Sequence, residues 1–489
     1  MADTSPDPWP ARALAAAEPG VFWLADPSRP EPRQTLRGTD AADLVVVGGG
    51  YTGLWTALRA KERYPDLDVV LVEAGSCGDQ ASGRNGGFAS ASLTHGFGNG
   101  QARWPDELTE LDRIGAQNLA AIGETVARYD IDCGWEETGE LMVATVPHQV
   151  DELVELSGEM RSAGHDVELL NETAVRAQVA SPSYLCGIWD RRGTALVEPA
   201  RLAWGLRDAC LTQGVRIYEQ SPVTGLGRHG AGMVVRTAAG EVRAGRVALA
   251  TNAFPPLLRR LRLMTVPVYD YALMTEPLSS EQMDAIGWRN RQGVGDAANQ
   301  FHYYRLTRDN RNLHPTKLLT PFALPQGPRI LWGGYDAVYY YGSRIRRRLE
   351  QSEVTHGLLA EHFFETFPQL RGVRFSHRWG GVIDTCTQFA AFFGKAYDGR
   401  VAYALGYTGL GVAATRFGAD VMLDLLHDED TERTRLRMAR EKPLPFPPEP
   451  VRYAGVQLTR WSLDRADANA GRRNLWLKTL DRLGLGFDS

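Results

Sequence analysis

Gly48, Gly50 and Gly53 stand in G-x-G-x-x-G spacing directly after the apolar run Leu44–Val47. A short run with β-branched residues reads as a buried parallel strand. In this spacing the first glycine permits a tight turn. The second lets the backbone approach a pyrophosphate, and the third lets the next helix pack on the strand. Tyr51 and Thr52 open that helix, whose free N–H groups and positive dipole end suit phosphate. Glu73 closes a second apolar run and can accept hydrogen bonds from ribose hydroxyls. Its charge disfavours a 2′-phosphate. The chemistry implied is therefore dinucleotide binding, and the motif alone leaves FAD against NAD open.

The elements that must position this turn alternate along the chain. Apolar periodicity predicts helices over 106–129, 148–163, 199–214, 353–367 and 412–426. Strands are expected at 139–144, 215–218, 233–236, 246–251, 269–275, 301–306 and 330–332. A strand pair is expected in 389–405 around Asp398 and Gly399. The segment 79–89 carries too many glycines for a helix or strand interior. Phe22, Trp23 and Leu24 read as a docking segment in a Pro-rich lead-in. From Glu441 the prolines 443, 445, 447, 448 and 450 favour an extended run, with helix returning at 472–485. The layout predicts a mixed α/β (α+β) chain with a Rossmann-like dinucleotide domain and a discontinuous second domain on a mainly antiparallel sheet. The expected division is 1–42 lead-in; 43–100, 190–262 and 380–430 nucleotide domain; 101–189 and 263–379 substrate domain; and 431–489 tail.

Composition narrows the function. The chain has 489 residues, enough for more than one core, and a net charge of -5. Nothing supports a nucleic-acid surface; the Arg-rich stretches 344–348 and 433–440 read as solvated helix faces. Five scattered cysteines, with no C-x-x-C and no zinc-ligand spacing, give neither a disulfide framework nor a metal site. With no apolar leader and no membrane-length run, the expectation is a cytoplasmic protein. Oligomeric state is not legible.

At Ala81-Ser-Gly-Arg-Asn-Gly-Gly87 the chain resembles the D-amino-acid oxidase-like superfamily of FAD-dependent oxidoreductases, in its glycine oxidase and γ-glutamylputrescine oxidase branch. Further landmarks follow in the family's order: Phe22–Leu24, Ala250–Ala253, Tyr304-Arg305, Trp379–Gly381 and Gly406–Gly411. The resemblance implies that Ser82, Arg84, Asn85, Gly86 and Gly87 wrap the pyrophosphate and ribityl chain. Arg84 either offsets phosphate charge or is a surface residue. Val223 would meet the adenine, and Thr251 would close over the nucleotide. Gly409, Leu410 and Gly411 precede a helix and would face the flavin edge that becomes negative on reduction. That late turn moves the ligand from NAD to FAD. The chain departs from the family at Gln388 and Ala391, where relatives often carry Asp and Pro, and at Leu410, where a histidine is common.

The same resemblance implies oxidation of an amine or amino acid C–N bond to an imine, with oxygen as acceptor and peroxide as product. A dehydrogenase with another acceptor, a flavin-dependent tRNA-modification enzyme and a non-catalytic flavin subunit are the alternatives. Substrate-side candidates are Phe88, Tyr304, Arg305, Trp379 and Tyr407, with the catalytic residue left unnamed. Arg305 either clamps a carboxylate or pairs with a structural acid. Trp379 either touches substrate or packs behind the flavin. Non-covalent FAD is expected, with Cys386 a core thiol.

Overall fold

The computed structural model describes residues 9–308 and 327–486. Parts of the expected lead-in (1–8), substrate domain (309–326) and tail (487–489) lie outside the described residues. Two large sheets organise the chain. The first has parallel strands Gly38–Val47, Val69–Val72 and Arg216–Tyr218 side by side. The long strand Gly240–Leu249 pairs parallel with Gly38–Val47 and with Val401–Leu405. Antiparallel strands Val223–His229 and Gly232–Thr237 extend it on one side, and Phe392–Ala396 pairs with Val401–Leu405. Helices Tyr51–Arg63, Pro199–Thr212, Gly411–Leu426 and Leu108–Arg128 share one apolar core on this sheet.

The second sheet contains nine strands, and six of its eight pairings are antiparallel. Its centre is Val266–Thr275 between Ile330–Tyr339 and Phe375–Thr385. One face packs on helix Glu353–Thr366 through Tyr269, Tyr271, Tyr304, Trp332 and Phe363. The other face carries Val268, Asp270, Ala272 and Tyr303 toward a cavity. The strand Phe375–Thr385 stays in this sheet through Thr385, past the expected domain boundary at 380. No helix of the described residues is long and apolar enough to cross a membrane.

The tail differs from the expectation of an extended run. The difference is Val451–Asp467, a 17-residue helix that follows Pro450; helix Leu475–Arg482 falls within the expected 472–485. The prolines end where the helix starts, so they delimit it without interrupting it.

The lead-in is tied down by a buried ion pair. Glu219 accepts from the amides of Arg33 and Cys77 at 2.5 and 2.6 Å, and from Arg207 at 3.1 Å. Arg207 is 4% exposed and has two further partners, Asp208 at 3.2 Å and Glu31 O at 2.8 Å. Glu219→Ala should lower unfolding free energy by about 1–3 kcal/mol, because it removes the buried partner of Arg207 and the acceptor of two amides; urea unfolding measures it, and an unchanged stability would contradict that account.

Candidate active site

The glycine turn has the close approaches its spacing implies. Gly48 has φ of 111°. A Cβ on Gly53 would lie 1.8 Å from the Gly48 carbonyl oxygen, so the helix crosses the strand end at backbone contact. The helix Tyr51–Arg63 starts at Gly50, which supplies no side-chain cap, and this leaves the first-turn amides beyond Tyr51 for a ligand. A second uncapped start lies at Leu410, ahead of Gly411–Leu426. Both turns open on one cavity of about 1410 Å³, above the ~300–1,000 Å³ usual for a single small ligand. A dinucleotide cofactor and a substrate together fit that chemistry and size.

Contrary to the expectation for 79–89, Ala81–Arg84 forms one helical turn and Phe88–Ser90 a short strand, because the glycines fall at the ends of these elements and only Gly83 lies inside one. The loop Ser82–Gly87 spans this turn and the link to the strand, and three side chains hold its carbonyls. Trp379 Nε1 donates to Arg84 O at 2.9 Å, and Trp23 Nε1 to Asn85 O at 3.0 Å. Arg305 Nη1 donates to Gly87 O at 3.3 Å and to Val197 O at 2.6 Å. Ser82 Oγ accepts the Tyr51 amide at 2.8 Å, joining the loop to the first glycine turn. Asn85 Oδ1 accepts from Gly87 N, and its amide nitrogen donates to Ala81 O and Ser82 O. Arg84 is neither free nor a surface residue: it donates to Asp79 O and pairs with Glu350 at 2.7 Å.

The cavity gathers Gly50, Tyr51, Thr52, Ser82, Arg84 to Phe88, Trp379, Tyr407 and Gly409 to Gly411. Gly48, Gly53, Glu73, Val223, Thr251, Tyr304 and Arg305 are off its wall. Glu73 instead clasps the amides of Gly49 and Gly75 at 2.5 and 2.7 Å. Burial raises its carboxyl against those two bonds. Ala250 and Asn252 line the cavity on either side of Thr251. Tyr304 faces the opposite side of its strand, bonded to Tyr184 at 2.6 Å and packed on Trp332. Arg305 is fully buried, and burial lowers it to about 10, so it stays charged at neutral pH. Cys386 is buried, with Sγ donating to Ala390 O at 3.2 Å. Gln388 also turns to that carbonyl.

Two acids on the wall escaped the sequence reading. Asp270 accepts the Tyr303 hydroxyl at 2.5 Å. Burial raises Asp270 to about 6, against the pull of Tyr303 and of the Tyr271 and Gly334 amides. Tyr303 is pushed far up by burial and by Asp270, so it stays a donor. Its ring meets Phe88 edge-on at 5.9 Å. A Cβ on Gly86 or Gly333 would come within 2.6 Å of that ring. Asp384 accepts the Gly406 amide at 2.5 Å and anchors the second glycine turn. Burial raises it to about 7, with the amides of that turn pulling it down. The available signal was a lone carboxylate in each of two strands, Asp270 in Val266–Thr275 and Asp384 in Phe375–Thr385, which demands a partner when buried.

Arg305→Met should cost about 1–3 kcal/mol of stability, since it leaves the Val197 carbonyl without its donor and the Gly87 carbonyl with the Val197 amide alone. Thermal unfolding reads that loss. Equilibrium titration should find the relative affinity for ligands with and without a carboxylate unmoved; a selective loss of carboxylate ligands would instead assign Arg305 a clamp.

Comparison with known proteins agrees with this geometry. The chain is 33% identical over 420 residues to the gamma-glutamylputrescine oxidoreductase of Escherichia coli (strain K12), covering 84% of this chain and 89% of that protein. The solved glycine oxidase of Geobacillus kaustophilus superposes with a TM-score of 0.65 at 18% identity, over 83% of this chain and all of that one. The L-proline dehydrogenase of P. horikoshii does so with a TM-score of 0.62 at 16% identity, over 81% and 95%. At these identities the two structures speak for the fold alone. Residues 43–425 match the FAD dependent oxidoreductase family. With its two glycine turns on one cavity, the chain belongs to that family of FAD-dependent oxidoreductases.

Proposed function

We propose that this chain oxidises the C–N bond of a small amine or amino acid to an imine, which water hydrolyses to an aldehyde or oxo acid and an amine or ammonia. The reading is carried by the Asp270–Tyr303 pair on the second sheet, facing the cavity that both glycine turns share. Likeness to an oxidoreductase named for gamma-glutamylputrescine supports an amine substrate. Bound FAD supplies the two-electron acceptor, and oxygen is the final acceptor we favour, with peroxide as product.

The protein's part is position and protonation. The proposed cradle for FAD is Gly50, Tyr51, Thr52, Ser82, Arg84–Gly87 and Gly409–Gly411, all on the cavity wall, with Gly48, Gly53, Glu73, Val223 and Thr251 behind it. An ammonium holds its nitrogen lone pair in an N–H bond, so it must lose a proton before the carbon beside it is oxidised. The Asp270 carboxylate accepts that proton, and the Tyr303 hydroxyl holds the carboxylate oriented toward the cavity. Phe88, Trp379 and Tyr407 add apolar wall that disfavours the ammonium. Asp384, through Gly406, keeps the second turn in place. A non-covalent cofactor is favoured because the Cys386 thiol is buried, turned to Ala390 O and off the cavity wall.

Purified protein should be yellow, and acid precipitation should release FAD into the supernatant; flavin remaining in the pellet would reverse the non-covalent reading. Anaerobic bleaching by amines, with peroxide formed on readmitting air, tests the reaction. A colourless protein that neither binds FAD nor is stabilised by it would end this proposal.

Asp270 is protonated below about pH 6 and a carboxylate above it. The bleaching rate should therefore rise with pH through that value. In Asp270→Asn the rise should vanish, with a rate loss of about 10²-fold or more. An unchanged profile would remove Asp270 from proton transfer.

A further inference from the structure

The far wall of the cavity is built by residues beyond the family match at 43–425. Helices Val451–Asp467 and Leu475–Arg482 turn Val456, Leu463, Trp476, Leu477 and Leu480 into it. Several bonds fix this pair of helices against the rest of the chain. Asp467 accepts from Asn299 Nδ2 at 2.6 Å, and Gln457 donates to Tyr339 O at 3.2 Å. Arg103 donates to Gly484 O at 2.7 Å. The wall is thus part of the folded cavity.

Its charges are already matched. Among the described residues, the arginines on this wall are Arg452, Arg460 and Arg473. Arg452 pairs with Glu449 at 3.3 Å, Arg460 with Asp336, and Arg473 with Asp481 at 2.7 Å. A substrate head group carrying a carboxylate would have to compete with a carboxylate in place at each of them. The leucines, Val456 and Trp476 between them offer contact to hydrocarbon.

We propose that this C-terminal helical pair is the specificity wall of the site, selecting amines that carry an aliphatic or aromatic tail over amines with a zwitterionic head. The inference rests on the amine-oxidation reading and deepens it. The amine lies toward the Asp270 end, and the tail runs to the helices. The end of the cavity formed by these helices is an apolar surface with internally paired arginines. Affinity should climb with tail length, because each methylene leaves water.

The test combines titration calorimetry with anaerobic bleaching on the FAD-loaded protein, using glycine, ethylamine, hexylamine, phenethylamine and a γ-glutamylated diamine. Hexylamine and phenethylamine should bind at least about ten-fold tighter than ethylamine or the γ-glutamylated diamine. Leu480→Ser, on one helix, and Val456→Ser, on the other, should weaken hexylamine about ten-fold more than ethylamine. Either variant suffices if the other fails to fold. Equal weakening of short and long amines, or tightest binding of the γ-glutamylated diamine, would overturn the wall. Tail-dependent binding without bleaching would support the wall and defeat the reaction proposed above; bleaching without tail dependence would do the reverse.

Discussion

The constraint on which the site depends is the fixing of one short loop by three side chains from distant places. Trp23 comes from the lead-in, and Arg305 and Trp379 from two strands of the second sheet. Together they hold the carbonyls of Arg84, Asn85 and Gly87. With those carbonyls turned onto the protein, the loop presents glycine backbone and Ser82 to the cavity, and Ser82 in turn holds the start of the first helix. Each bond alone contributes about 1 kcal/mol, but their geometry locks the two sheets in register across the cavity. Fully buried Arg305 keeps its charge there with carbonyl partners and with Glu136 and Glu198 nearby, which offset part of the cost of desolvation.

Much of this was legible because the signals were backbone signals. The glycines of the first turn answer to contacts a side chain would break, and periodicity placed the helices Leu108–Arg128 and Gly411–Leu426 within a few residues. The substrate side was read less well, for a reason of parity. Tyr303 and Tyr304 are adjacent, and a strand sends them to opposite faces. In Phe301–Leu306 one face carries Phe301, Tyr303 and Arg305 and the other His302, Tyr304 and Leu306, so each mixes aromatic and basic residues and nothing in it tells which tyrosine meets the cavity. Asp270 and Asp384 are each the lone acid of their strand, and their partners Tyr303 and Gly406 are remote in sequence.

The helix Val451–Asp467 was obscured differently. Five prolines just before it, and Gly455 inside it, argue locally for an irregular tail. What stabilises the helix is tertiary: the bonds of Asp467 and Gln457 and the burial of Arg452, Ser462 and Ala466. Local propensity is a weak guide wherever packing supplies the free energy.

The strand Gly240–Leu249 joins Gly38–Val47 on one side and Val401–Leu405 on the other. During synthesis the first pairing is available as soon as residue 249 has emerged. The second must wait for roughly 150 more residues, on the order of 10–30 s at ribosomal speed. Through that interval Val247, Ala248 and Leu249 form an apolar strand edge without its neighbour, the kind of edge that recruits other chains. The nascent chain therefore carries this open edge from the middle of translation until residue 401 has emerged.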